Sequence, residues 1–188
     1  MFKYAGSCWA FTAVAAIESV VKIRKGVLLD LSEQELVDCV TTCYKCEGGW
    51  PDKAFQWVIS NKGIATEAYY PYTATSNNCN VQRASNCAVS ITSYRYVGQD
   101  NEVSLMNVVA TQPVVVAIDA RGNSFQNYKG GIYTGPCGTN LTHALVIVGY
   151  DDGYMYIQRE SPYDQPRGLC GLASLLVVPT IASPRADA

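Results

Sequence analysis

The chain has 188 residues, 48% of them apolar and only 16% charged, a balance that excludes a disordered protein and gives enough length to bury a core without a structural metal. A net charge of −2 argues against nucleic acid as the main partner, and no uninterrupted apolar stretch is long enough to cross a bilayer. The N-terminus lacks the basic, then apolar, then small-residue order of a signal peptide, so a secreted protein of this sequence reads as a processed or truncated form.

In chain order, apolar residues at Phe11, Val14, Ile17 and Val21 predict a helix from Cys8 to Lys25, closed by Gly26. Ser32 followed by Glu35 is a capping box that opens a second helix. Pro51 in a first helical turn, with Ala54, Phe55, Val58 and Ile59 behind it and Gly63 near its end, predicts a third. From Ser90 the texture turns β-rich, with strands predicted over 91–97, 114–118, 144–150 and 154–157 and one short helix over 103–110. Repeats and low-complexity linkers are absent, and the tail from 181 to 188 reads as frayed. The pattern divides the chain into a mainly helical subdomain, residues 1–89, and a mainly antiparallel β subdomain, residues 90–188. A cleft between two subdomains is a common place for a binding site.

Gly6-Ser7-Cys8-Trp9-Ala10-Phe11 is the most informative segment. It places a small-residue turn, a thiol and an aromatic shelf at a helix start. There the positive end of the helix dipole and unpaired backbone N–H groups favour thiolate, the nucleophilic form of cysteine. A lone cysteine in an apolar helix is ordinarily structural; six consecutive residues of this kind argue otherwise. The chain has one histidine, His143, 135 residues after Cys8, at the head of the apolar run 144–150. That separation matches the spacing of about 130–150 residues between a catalytic cysteine of the papain type and its histidine.

Further motifs are Leu31-Ser32-Glu33-Gln34-Glu35-Leu36-Val37-Asp38-Cys39, Cys46-Glu47-Gly48-Gly49-Trp50-Pro51, Tyr70-Pro71-Tyr72, Gly135-Pro136-Cys137-Gly138 and Leu169-Cys170-Gly171. With these the sequence resembles the papain family of cysteine proteases, particularly its plant latex, fruit and seed members, from Gly6 to about Thr180. The resemblance implies an α+β, papain-like fold of two subdomains, helical left and β-barrel-like right, with the active-site cleft between them. It implies a cysteine-type endopeptidase with Cys8 as nucleophile and His143 as its imidazolium partner. Gly6, Gly48 and Gly49 would present backbone to an extended peptide. Trp50, Pro51, Ala117, Leu141, Ala144 and Leu175 match positions lining the main side-chain pocket. All six are apolar, so a hydrophobic residue is expected second from the scissile bond on the acyl side. Elsewhere such residues are core, and a Gly-Gly pair is a plain turn; the resemblance alone lifts them.

Eight cysteines suit an oxidising compartment, and the resemblance pairs Cys39 with Cys79 and Cys137 with Cys170. The family's third bridge joins the position of Cys46 to one that is Ala5 here; Cys43 and Cys87 have no family bridge, and at least one thiol is expected free. Cys39-x-x-x-Cys43-x-x-Cys46 also has the spacing of an iron–sulfur motif, although two of its members are family disulfide positions. No cofactor or metal is therefore expected. The expected partners are a peptide or protein substrate and cystatin-like inhibitors, with no nucleic acid and no membrane. A monomer in a secreted, vacuolar or lysosomal location is expected.

Two departures bear on activity. The family's oxyanion glutamine, six residues before the nucleophile, is Phe2 here. Its Asn-Ser-Trp-Gly motif, whose asparagine orients the histidine, is not found after His143. One alignment puts Glu160 at the asparagine and Pro162 at the tryptophan; the other matches Gly153-Tyr154-Met155-Tyr156-Ile157 to a later strand and deletes the segment. Glu160 is thus either a carboxylate acceptor for the histidine ring or a solvated residue beside Arg159. Thr142 replaces the Asn or Asp common before the family histidine, and the sequon Asn140-Leu141-Thr142 lies too close to the histidine to expect a glycan. These departures leave a second reading, a catalytically weak or inactive homologue serving as a storage or inhibitor-binding protein.

Overall fold

The computed structural model describes residues 6–98, 101–149, 156–157 and 167–182. The chain separates into two compact units, Met1–Arg95 with Pro179–Ala188, and Tyr96–Val178.

The first unit is built on helix α1, Cys8–Lys25, whose end is closed by Gly26, its N–H returning to the Lys22 carbonyl. The predicted stripe is realised in Val14, Ile17 and Val21, with Trp9, Ala10, Ala13 and Val20 buried beside them, whereas Phe11 is 40% exposed. Helix α2, Glu33–Cys39, and helix α3, Pro51–Ser60, pack on α1 through Leu36, Val37, Phe55 and Val58. Short helix α4, Val81–Ala84, was not legible in the apolar pattern, having one buried residue, Ala84.

The capping box at Ser32 is half formed. The Ser32 hydroxyl accepts from the Glu35 N–H at 3.0 Å, yet Glu35 does not return to the Ser32 N–H. That N–H donates to the Ala65 carbonyl, and the Ala65 N–H donates to the Glu35 carboxylate at 2.8 Å. A tertiary bridge has taken the place of the local one. The disulfide Cys39–Cys79 fastens the end of α2.

In the second unit, helix α5, Glu102–Val109, is capped by the Asn101 side chain, which accepts from the Ser104 N–H at 2.9 Å. Strand β2, Val114–Ile118, is buried along its whole length, as its unbroken apolar run requires. It pairs antiparallel with β4, His143–Ile147, and with β6, Leu176–Thr180. With β1, Ser93–Tyr96, the sheet order is β1-β6-β2-β4, open among the described residues. A second pair, β3 at Ile132–Tyr133 and β5 at Tyr156–Ile157, runs parallel. Short helix α6, Asn123–Gln126, precedes β3. The core gathers Leu105, Val108, Val116, Ile118, Tyr133 and Leu176, and the disulfide Cys137–Cys170 lies at its margin.

Candidate active site

Ser7 stands at the N-cap of α1, a position where serine ordinarily accepts a first-turn N–H. Its hydroxyl does not cap; it bonds the Tyr72 hydroxyl at 2.9 Å. The Tyr72 ring meets Phe11 edge-on, centroids 4.9 Å apart, so one tyrosine holds residues on both sides of Cys8. Cys8 is the first helical residue, half-buried, with its sulfur in neither disulfide. The first turn of α1 carries no acidic side chain, while Lys22, Arg24 and Lys25 occupy the last. The dipole is therefore complemented at the far end and left positive beside the thiol.

The segment 45–49 is fastened to this helix start. Trp9 is fully buried and its indole N–H donates to the Lys45 carbonyl at 3.0 Å, while the Gly6 N–H donates to the Cys46 carbonyl. Gly49 lies so close to the indole that a Cβ there would fall 2.7 Å from both the Trp9 ring and the Cys43 sulfur. Only glycine fits. Next to it, nothing lies within 4 Å of where a Gly48 Cβ would stand. Trp50 is 45% exposed and Pro51, the first residue of α3, is buried. The first unit thus gathers Gly6, Cys8, Gly48, Gly49, Trp50 and Pro51.

The second unit holds His143, Ala117, Leu141, Ala144 and Leu175. His143 is exposed at the head of β4, opposite Ile118. Ala117 and Ala144 are register partners, so their side chains share one face of the sheet. Leu141 and Leu175 are half-buried. Phe2, Ala5 and Glu160 lie outside the described residues.

The sulfur of Cys39 is bonded to Cys79, which removes it from any three-thiolate set with Cys43 and Cys46. Cys43, Cys46 and Cys87 remain thiols; burial pushes those of Cys43 and Cys87 up from the ordinary value. Tyr72 and Trp9 were legible only as motif members. Their roles depend on Ser7 and Lys45, residues 65 and 36 positions away, which no local periodicity connects to them.

A cysteine at a helix N-terminus is in one of the settings that lower a thiol's pKa and raise its reactivity. A family model described as papain family cysteine protease matches residues 3–164. Ananain from Ananas comosus is 43% identical over 95% of this chain, which spans only 56% of ananain's length. Macrodontain-1 from Ananas macrodontes is 42% identical, covering 94% of this chain and 89% of its own. Among solved structures, the Carica candamarcensis cysteine protease CMS1MS2 in complex with E-64 superposes with a TM-score of 0.88 at 41% identity, covering 95% of this chain and 90% of that one. The chain belongs to the papain family of cysteine proteases.

Proposed function

We propose that the protein hydrolyses peptide bonds with Cys8 as nucleophile and His143 as its acid–base partner. The observation that carries this is Cys8 as the first residue of an 18-residue helix with no acidic side chain in its opening turn, in a chain whose one histidine heads β4. The Cys8 thiolate attacks the carbonyl carbon, and the negative charge passes to the carbonyl oxygen, which the Cys8 backbone N–H stabilises. Collapse breaks the C–N bond, the His143 imidazolium protonates the leaving amine, and a thioester remains. His143 then takes a proton from water, which attacks the thioester and restores the thiolate.

Trp50, Pro51, Ala117, Leu141, Ala144 and Leu175 match the positions that contact this side chain in the family, so peptides with Leu or Phe second from the scissile bond are expected to be cleaved faster than those with Asp. Equal rates would remove the pocket assignment. Glu160 accepts from the His143 ring N–H, as carboxylates do in other triads. Unchanged turnover and pH profile in Glu160→Ala would remove that role. Phe2 in place of the glutamine supplies no oxyanion donor, and losing one such donor lowers turnover by about 10²–10³-fold. The two disulfides favour an oxidising location, secreted or vacuolar.

Titration with an epoxide inhibitor of the E-64 type, with turnover of a Phe-Arg amide, tests the reading. One equivalent of label on Cys8 and turnover lost in Cys8→Ala and His143→Ala are expected. Binding of a cystatin-like inhibitor with neither label nor turnover would favour the storage or inhibitor-binding reading, which the missing glutamine and missing Asn-Ser-Trp-Gly motif support.

A further inference from the structure

His143 begins β4, so its position depends on the backbone that leads into the strand. That backbone, residues 138–142, has no secondary structure of its own. One end is tied at Cys137 by the disulfide to Cys170. The other is tied at Thr142, whose N–H donates to the Ile118 carbonyl at 2.8 Å and whose hydroxyl accepts from the Ala120 N–H at 3.2 Å.

Between these ties stands one buried carboxylate, Asp119, 4% exposed and directly after β2. One of its oxygens accepts from the Arg121 backbone N–H and from Nε, each at 3.2 Å. The other accepts from Arg121 Nη2 and from the Asn140 N–H, each at 3.2 Å. Gly138 closes over the same carboxylate: a Cβ there would sit 2.6 Å from Asp119 Oδ2. The Asp119 N–H donates to the Cys170 carbonyl at 2.9 Å, which fixes its own backbone. The Arg121 hydrogen bonds hold the Asp119 carboxyl below the usual carboxylate range, so it stays charged near neutrality.

We propose that Asp119 is a positioning residue for His143, its carboxylate pinning the middle of segment 138–142 and thereby fixing the backbone that carries the imidazole. The inference rests on the Cys8–His143 reading.

Three variants of the full chain test it: Asp119→Ala, Asp119→Asn and Gly138→Ala. The last attacks the same contact from the other side, with no change of charge. Misplacing a reacting group by about 1 Å costs on the order of 10²-fold in rate. Asp119→Ala is expected to lower kcat for a Phe-Arg amide by about that factor. KM stays within about twofold, and labelling of Cys8 still reaches one equivalent, since loss confined to kcat is the mark of an interaction made only in the transition state. Asp119→Asn keeps an acceptor for the Asn140 N–H and is expected to recover part of the loss. Gly138→Ala is expected to reproduce the kcat defect, and it carries the test if Asp119→Ala does not fold. Wild-type kcat in both Asp119→Ala and Gly138→Ala, or defects confined to KM, overturn this inference alone. No label and no turnover in the unaltered chain overturn the Cys8–His143 reading, and this inference with it.

Discussion

Helix α2 shows at single-residue resolution what an apolar pattern conceals. Gln34, Glu35 and Asp38 are all buried, yet each is paired. Gln34 donates to the Asp38 carboxylate and to the Thr75 carbonyl, and its own carbonyl accepts from the Thr73 N–H. Asp38 also accepts from the Tyr70 hydroxyl at 2.9 Å and from the Asn77 N–H at 2.9 Å. Glu35 takes the Ala65 N–H. The sequence marks the helix start through Ser32 and Glu35. It does not mark that Glu35 turns inward, because its partner lies 30 residues on. Glu35→Ala strands the buried Ala65 N–H, and the expected loss is about 1–3 kcal/mol of unfolding free energy, measured by urea titration. A change below a few tenths of that would mean the bridge contributes nothing.

Elements with a clear period were legible, and elements without one were not. The stripe of α1 and the Pro51 start of α3 predicted those helices, and the run 114–118 is strand β2 with the predicted bounds. Strand β6 is not marked by the sequence pattern. Residues 176–178 are all buried, so its apolar run lacks the alternation that marks a half-exposed strand, and Pro179 argues locally against pairing. The strand at 144–150 begins instead at His143 and ends at Ile147, because Ile118 and Val114 at the two ends of β2 set the limits of its pairing. Helix α5 lies one residue earlier than expected at each end, its start fixed by the Asn101 cap. Asn101→Ala is therefore expected to cost about 1 kcal/mol, and Asn101→Asp little, by denaturation midpoint. An Ala variant as stable as the parent would show that packing of Leu105 and Val108, rather than the cap, holds the helix.

At the scale of the whole molecule, the carboxyls that burial raises all lie, among the described residues, in the first unit. Burial, then mutual repulsion with Glu67, Glu18 and Asp30, pushes Glu33 up to about 7, and burial pushes Glu35 up to about 7. Burial also raises Glu18 and Glu67. A carboxyl whose folded value exceeds its unfolded one favours the folded state fully below the unfolded value, about 4.5, and loses that contribution as pH rises through 7. The urea midpoint is thus expected to be higher at pH 5 than at pH 8, with the fall reduced in Glu33→Gln. A flat midpoint across that range would contradict the assignment. The bridges, closing separations of 40 and 33 residues, each contribute about 4 kcal/mol through chain entropy, so full reduction is expected to lower the urea midpoint. The division of the chain has a consequence for biosynthesis. The first unit takes in the segment beginning at Pro179, and the Thr92 N–H donates to the Thr180 carbonyl at 2.8 Å. A ribosome making this protein has already released every helix of that unit before it reaches Thr180. The first unit therefore waits unfinished while the second is translated, and a stall anywhere before Pro179 leaves Thr92 without its Thr180 partner and that unit open to quality control.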